Sequence, residues 1–284
     1  MHACTRLLTI SLLITSLSCS GWEQRKINIG YIYSSDEPSL EDNNVCDWLE
    51  ANNHFNLKRI KTRAEYSMIE DCDVIWLHLP QSSDYYKWSQ NPMNRERLRK
   101  IIEKGKSLLL TDYAFLTLHD LGIEKIRPQI KKIKIQDDWL FDEKGFQGWL
   151  GHPIFKGLFG GAFIFDAVED QDVVLIGYFG KNFPAAGKIV GVEKSYITIH
   201  RQNRLIVEYR KNKSTIIAIG GLIHFSYKNR LKYNLKKLIE NSILYLSGTL
   251  KTPAPTYWEK HDYSPKKIEL KTKSFRLPDK RRLN

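Results

Sequence analysis

Residues Cys72–Leu79 read CDVIWLHL, and residues Lys106–Thr111 read KSLLLT. Each is a short, near-continuous apolar run. Strands of that kind are buried on both faces, as in a parallel sheet covered by helices above and below. Between them, Asn94 is placed to cap a helix on which Leu98, Ile101 and Ile102 form an apolar stripe, and Gly105 stands where a left-handed glycine ends it. Upstream, Lys26–Ser34 (KINIGYIYS) reads as a strand. Asp42–Asn53 reads as a helix with Val45, Trp48 and Leu49 on one face, and Lys58–Thr62 as a short strand. Downstream, Ala114–Leu121 is a helix that stops at Gly122. This alternation predicts an α/β fold with a doubly wound, mostly parallel, flavodoxin-like sheet.

The second half changes character. Phe163–Ala167, Val173–Tyr178, Ile189–Val192, Ser195–His200, Arg204–Tyr209 and Thr215–Gly220 are strand-like with short connections, so a β-rich half is expected. Asn203 is expected at a hairpin turn between Tyr196–Ile199 and Leu205–Val207. Asn229–Leu246 carries Leu231, Leu235, Leu238, Ile239, Ile243 and Leu246 at helical spacing.

The ends of the chain are of another kind. Leu7–Leu17 is an apolar run of 11 residues behind Arg6, too short to span a bilayer comfortably and right for an export signal. It runs into Ser18-Cys19-Ser20-Gly21, similar to the box at which bacterial lipoproteins are cleaved and Cys19 acquires lipid. The expected organisation is a signal over residues 1–19, one α/β domain over 22–250, and a basic extension over 251–284. The address is the cell envelope, with membrane attachment through Cys19. The chain has 284 residues and a net charge of +12, and half of that charge lies in the last 34 residues, which also hold four prolines. An exported address argues against a nucleic-acid partner for this tail and favours an anionic envelope surface or solvent. Composition, at 42% hydrophobic and 27% charged, excludes a disordered chain and a polytopic membrane protein. Cys46 and Cys72 remain in the expected domain, either as one disulfide or as two buried thiols.

Three segments carry a resemblance to a known family. Asp73–Leu79 with Gly105–Thr111, Gly151–Leu158 (GHPIFKGL), and Thr215–Phe225 (TIIAIGGLIHF) followed by a helix ending in Tyr245-Leu246-Ser247-Gly248 resemble the class I glutamine amidotransferase-like superfamily, most of all its trehalose-utilisation-type branch. The resemblance spans about residues 26–248 and implies that fold. It also implies a cysteine nucleophile on the turn after Leu108–Thr111 and a histidine partner near the end of the domain. Here the turn reads Thr111-Asp112-Tyr113-Ala114-Phe115, without cysteine, and Phe225-Ser226 follow His224. Glutaminase chemistry is therefore not expected.

The candidate catalytic residues are Asp112, Tyr113 and His224, which a doubly wound sheet would bring to the carboxyl ends of its strands. Asp112 is read either as base or hydroxyl acceptor or as the cap of the next helix, and Tyr113 either as donor or as packing. His224 is read either as functional or as structurally bonded. His78 falls near the same edge, and two histidines with a carboxylate are of a type that binds divalent metal, though no local spacing singles them out. His152, before Pro153, is a candidate ligand contact or a loop-orienting residue. Tyr85, Tyr86 and Trp88 sit in Gln81–Met93, read as a polar loop whose aromatics either stack on sugar rings or pack on one another. Gly157–Gly161 and Gly220-Gly221 lack phosphate-loop spacing and read as turns. No cofactor is indicated. Three functions stay open: an envelope protein binding a carbohydrate or other small ligand, a sugar-active hydrolase or isomerase using Asp112 and His224 (sugar use being implied by the resemblance), and a structural partner in an envelope complex.

Overall fold

The structure, a computed structural model, describes residues 25–33, 37–61, 67–134, 143–149, 151–166, 172–195, 198–226 and 228–250. The signal, Cys19 and the basic extension lie outside these residues. In chain order the strands are β1 Ile27–Ile32, β2 Phe55–Ile60, β3 Val74–Leu79, β4 Ser107–Asp112, β5 Gln129–Lys134, β6 Glu143–Gly148, β7 Gly161–Asp166, β8 Asp172–Phe179, β9 Lys188–Ser195, β10 Thr198–Lys211 and β11 Ser214–Ile219. The helices are α1 Leu40–Glu50, α2 Ser67–Glu70, α3 Ser82–Gln90, α4 Pro92–Glu103, α5 Thr117–Asp120 and α6 Lys232–Leu246.

One sheet runs β2-β1-β3-β4-β11-β10-β9-β6-β7, with β8 joined to β10 and to β5. The contiguous strands β2, β1, β3, β4 and β11 are parallel, and every further pairing, from β11–β10 outward, is antiparallel. The fold is thus a mixed α/β sheet, parallel at one end only, because the later strands follow one another through short connections that cannot carry a parallel crossover. All six residues of β3 are buried and alternate between two cores. Val74 and Trp76 face a core completed by Val45 and Leu49 of α1 and Leu235, Leu238, Ile239 and Ile243 of α6. Ile75, Leu77 and Leu79 face a second core with Leu98, Ile101 and Ile102 of α4 and Phe115 and Leu118.

Several expectations are corrected. Gln81–Met93 is not a loop: α3 fills it, and Asn91 rather than Asn94 caps α4, accepting from the Met93 N–H at 3.0 Å. Asn203 is not at a turn. It lies inside the 14-residue β10, buried, with its amide donating to Glu193 at 2.5 Å. The polarity that reads as a turn is instead a buried hydrogen-bonded pair beside a register shift between His200 and Arg204. Ala114–Leu121 opens as a 3₁₀ turn over Tyr113–Leu116 before α5. β5 and β6 were not anticipated. Cys46 and Cys72 form no disulfide, and they belong to opposite cores, so the sheet stands between them. No helix among the described residues is long and apolar enough to cross a membrane.

Candidate functional site

The chain leaves β1 toward β2 on one side and returns at β3 on the other. This switch opens a crevice outside the carboxyl ends of the parallel strands. Four titratable side chains arrive there: two from the ends of β3 and β4, one from the helix that follows β1 and one from the turn that follows β11.

Glu41 comes from the first turn of α1. Ser39 caps that helix in a capping box with Asp42, and Tyr31 donates to Asp42 at 2.7 Å, which fixes the helix start. The Glu41 carboxylate is buried, accepts from the Phe225 N–H, and lies 3.1 Å from His224 Nδ1 and 3.8 Å from His78 Nε2. His78 is fully buried near the end of β3. Its Nδ1 is 2.7 Å from Thr111 Oγ1 and 3.5 Å from Asp112 Oδ2, while Trp76 Nε1 donates to the same threonine oxygen at 2.9 Å.

Asp112 ends β4 with φ 56° and ψ −126°, and its side chain makes no cap bond to the following turn. The capping role weighed from sequence is therefore not the one adopted. This backbone is costly for any residue with a Cβ, by about 1–3 kcal/mol, and such strain gathers at functional sites. It turns the carboxyl back over the strand ends, with Oδ1 3.5 Å from the Ile223 N–H. His224 follows a second strained turn, with Gly221 at φ 101° and Leu222 at φ 68°. The turn is tied down where Asn229 donates to the His224 carbonyl at 3.0 Å. At Gly220 a Cβ would lie 1.6 Å from the Ile176 carbonyl oxygen, so only glycine lets this strand end approach β8.

The electrostatics follow from burial and mutual contact. Burial would raise Glu41, but its bonds to His224 and His78 prevail and hold it at about 2. Burial pushes Asp112 up to about 7, against the pull of His78 and His224. Burial opposes the His78 cation, yet Glu41 and Asp112 raise it above the usual range. Glu41 also raises His224, against its partial burial. Two carboxylates in one cluster are thus displaced in opposite directions, the arrangement that separates a proton donor from a fixed anion.

A small cleft of about 140 Å³ opens onto the Asp112 and His224 side of this cluster. Asp112, Tyr113, His224 and Asp172 supply its polar groups, and Phe165, Val173, Ile176, Leu222 and Ile223 are among its apolar ones. Among the described residues no Lys or Arg lines it. Among the described residues no group of His, Cys, Asp or Glu is arranged to hold a metal ion.

The other residues singled out from sequence lie elsewhere. Trp88 is 2% exposed in the second core, where no ring can stack on it. Tyr85 donates to Asp120 at 2.7 Å, and Tyr86 is exposed on α3. None of the three lines the cleft. His152 Nδ1 accepts from the Ile154 N–H at 3.4 Å, and its Nε2 faces Glu208 at 3.5 Å, which orients its turn. Glu41 is the residue that sequence reasoning missed. The Ser39…Asp42 capping pair was the available signal, since it places residue 41 in a helix start just after β1.

No family model and no curated protein matches the chain. Among solved structures, PurLQS from Thermotoga maritima is similar with a TM-score of 0.51 at 13% identity, covering 78% of this chain and 100% of that one. A glutamine amidotransferase from Thermotoga maritima gives 0.49 at 10% identity over 78% and 99%. A beta-galactosidase from Bacillus circulans sp. alkalophilus gives 0.49 at 10% identity, over 78% of this chain and 31% of that one. The fold is similar to that of the PurLQS structure. At these identities a likeness speaks for fold alone.

Proposed function

We propose that the protein binds a small, neutral, hydroxyl-bearing ligand, of which carbohydrates are the prime class, in the cleft above Asp112 and His224. The lining of that cleft carries the reading. A carboxyl that titrates near neutrality both donates and accepts, and the Glu41-paired His224 ring donates, which suits hydroxyl groups. Phe165, Val173 and Ile176 offer apolar surface to the C–H faces of a ring. Among the described residues no Lys or Arg lines the cleft to clamp a phosphate or carboxylate, and the His224 ring is already paired with Glu41. Asp112 stands on the turn where the resembled family places cysteine, so glutaminase activity is not part of the proposal. Membership of the trehalose-utilisation-like branch is part of it, supported by residues 151–158 and 215–225. So is export to the envelope with a lipid on Cys19, supported by the apolar run Leu7–Leu17 before it.

Saturation-transfer NMR on the full chain tests the ligand class. Neutral mono- and disaccharides should receive saturation, their phosphorylated counterparts should not, and the signal should vanish in Asp112→Asn/His224→Gln. Transfer to the phosphates alone, or to no sugar, refutes it.

A second reading, a hydrolase or isomerase acting on the same ligand, is favoured by one observation: Asp112 near 7 beside a Glu41-oriented His224. Such a pair supplies one group that gives a proton and one that takes it. Turnover of a bound sugar, with a pH profile lost in Asp112→Asn, tests it. Binding without turnover leaves the first reading alone.

A further inference from the structure

Phe159 breaks two local rules at once. Its side chain is 104% exposed, and its backbone has φ 49°, a conformation that L-residues with a bulky side chain rarely take. A strained backbone that buries nothing is a cost without a gain inside the monomer. The turn that carries it is built firmly. Gly157 and Gly160 flank it with φ 76° and 80°, Leu158 is buried, and the Gly161 N–H closes onto the Leu158 carbonyl at 2.8 Å.

That turn is fastened to α6. Asn241 donates to the carbonyls of Ile154 at 2.9 Å and Lys156 at 2.7 Å, and a Cβ on Gly157 would lie 3.8 Å from Lys237 Cε. α6 breaks a third rule. Lys228, Arg230, Lys232, Lys236 and Lys237 crowd the segment 225–239; Arg230 pairs with Asp166 and Lys237 with Glu240, while Lys232 and Lys236 stand one turn apart with like charge. Helix N-termini disfavour cations, yet Lys232 opens this helix and its first turn carries no acid. Partial burial and the neighbouring charge of Lys232 hold Lys236 below the usual lysine range. Tyr233, 77% exposed, lies one turn before Lys237 on the same helix face.

An exposed phenyl ring, an amphipathic tyrosine and a run of crowded cations together match the chemistry of an anionic bilayer surface. There the apolar ring enters the acyl boundary, tyrosine sits at headgroup level and lysines meet phosphate. We propose that the Lys156–Gly161 turn and the N-terminal half of α6 form a membrane-docking surface for anionic phospholipid, with Phe159 as the inserted residue. The surface acts whether or not Cys19 carries lipid, and it does not depend on the cleft.

The test uses the full chain with Phe159→Trp, mixed with vesicles of phosphatidylcholine alone or with phosphatidylglycerol, and read against the wild-type tryptophan background. With brominated acyl chains in the anionic vesicles, the added tryptophan should be quenched at least about twofold more than in neutral ones, since each lysine adds attraction at an anionic surface. Lys232→Glu/Lys236→Glu should abolish that excess while leaving the melting temperature nearly unchanged. No quenching in either vesicle, equal quenching in both, or quenching that survives the charge reversal would overturn the proposal.

Discussion

At the scale of the residue, Asp112 sets stability against use. Its folded value near 7 lies above its ordinary 3.8, so the folded protein holds the proton more tightly. Stability from this group is therefore present at low pH and lost as pH rises from about 4 through 7. Asp112→Gly removes both the carboxyl and the backbone strain. It should raise the melting temperature by several degrees, given relief of about 1–3 kcal/mol, and by more at pH 8 than at pH 5. Differential scanning calorimetry at the two pH values checks this; a fall in melting temperature at pH 8 contradicts it. Glu41 has the opposite sign. Its folded value of about 2 lies below 4.5, so its contribution is present above 4.5 and lost as pH falls toward 2. His78 and His224, raised above 6.5, contribute below that value and lose their contribution as pH rises through their folded values. The ion pairs of Glu41 with His78 and His224 are thus fully engaged between about pH 4.5 and 6.5, while the Asp112 contribution declines across that range. Glu41→Gln should cost about 3 kcal/mol at pH 5.5, because it leaves buried imidazolium without its anion, and less at pH 8.5. Urea midpoints at both pH values decide the matter.

At the scale of the element, the turn after β11 is held in place by a glycine. Gly220→Ala puts a methyl group against the Ile176 carbonyl, with no side chain able to yield. The loss should be about 3 kcal/mol or more, read as a large drop in urea midpoint or as insoluble protein, and ligand response should fall with it. The legibility of elements follows the same physics. β3, β4 and α4 were readable because burial on two faces or one face writes a period into the sequence. α3 was not, since SSDYYKWSQ has only Trp88 buried and its start depends on the Gln81–Asp84 capping pair. β5, with sequence QIKKIK, is exposed along nearly its whole length and bears no period-2 burial signature. β10 was split in two because Asn203 and Arg204 are buried yet polar, satisfied by Glu193 and by the Gly180 and Asn182 carbonyls, which no local pattern foretells.

At the scale of the whole molecule, the carboxyl-edge convergence of His78, Asp112 and His224 was legible because strand order and strand ends follow from topology. Glu41 was not, because its inward aim depends on a helix start and on histidines distant in sequence. The segment Gln81–Met93 reads as a loop from its polar composition, whereas it forms a helix on which Trp88 is the buried residue. The sheet also separates the two described thiols, so neither reductant nor oxidant should move the melting temperature by more than about a degree, and a thiol reagent should reach Cys46 and Cys72 only after unfolding. Mass spectrometry before and after denaturant reads this directly, and labelling of the native state would contradict it. The central claim is that the cleft over Asp112 and His224 takes a neutral, hydroxyl-bearing ligand. Its most direct test is the melting temperature of the full chain with a panel of neutral sugars, wild type beside Asp112→Asn/His224→Gln. A bound sugar at about 100 times its dissociation constant adds about 2.7 kcal/mol, a shift of several degrees. The account predicts that shift in wild type and its loss in the double variant; no shift with any sugar, or one that survives in the folded double variant, would contradict it.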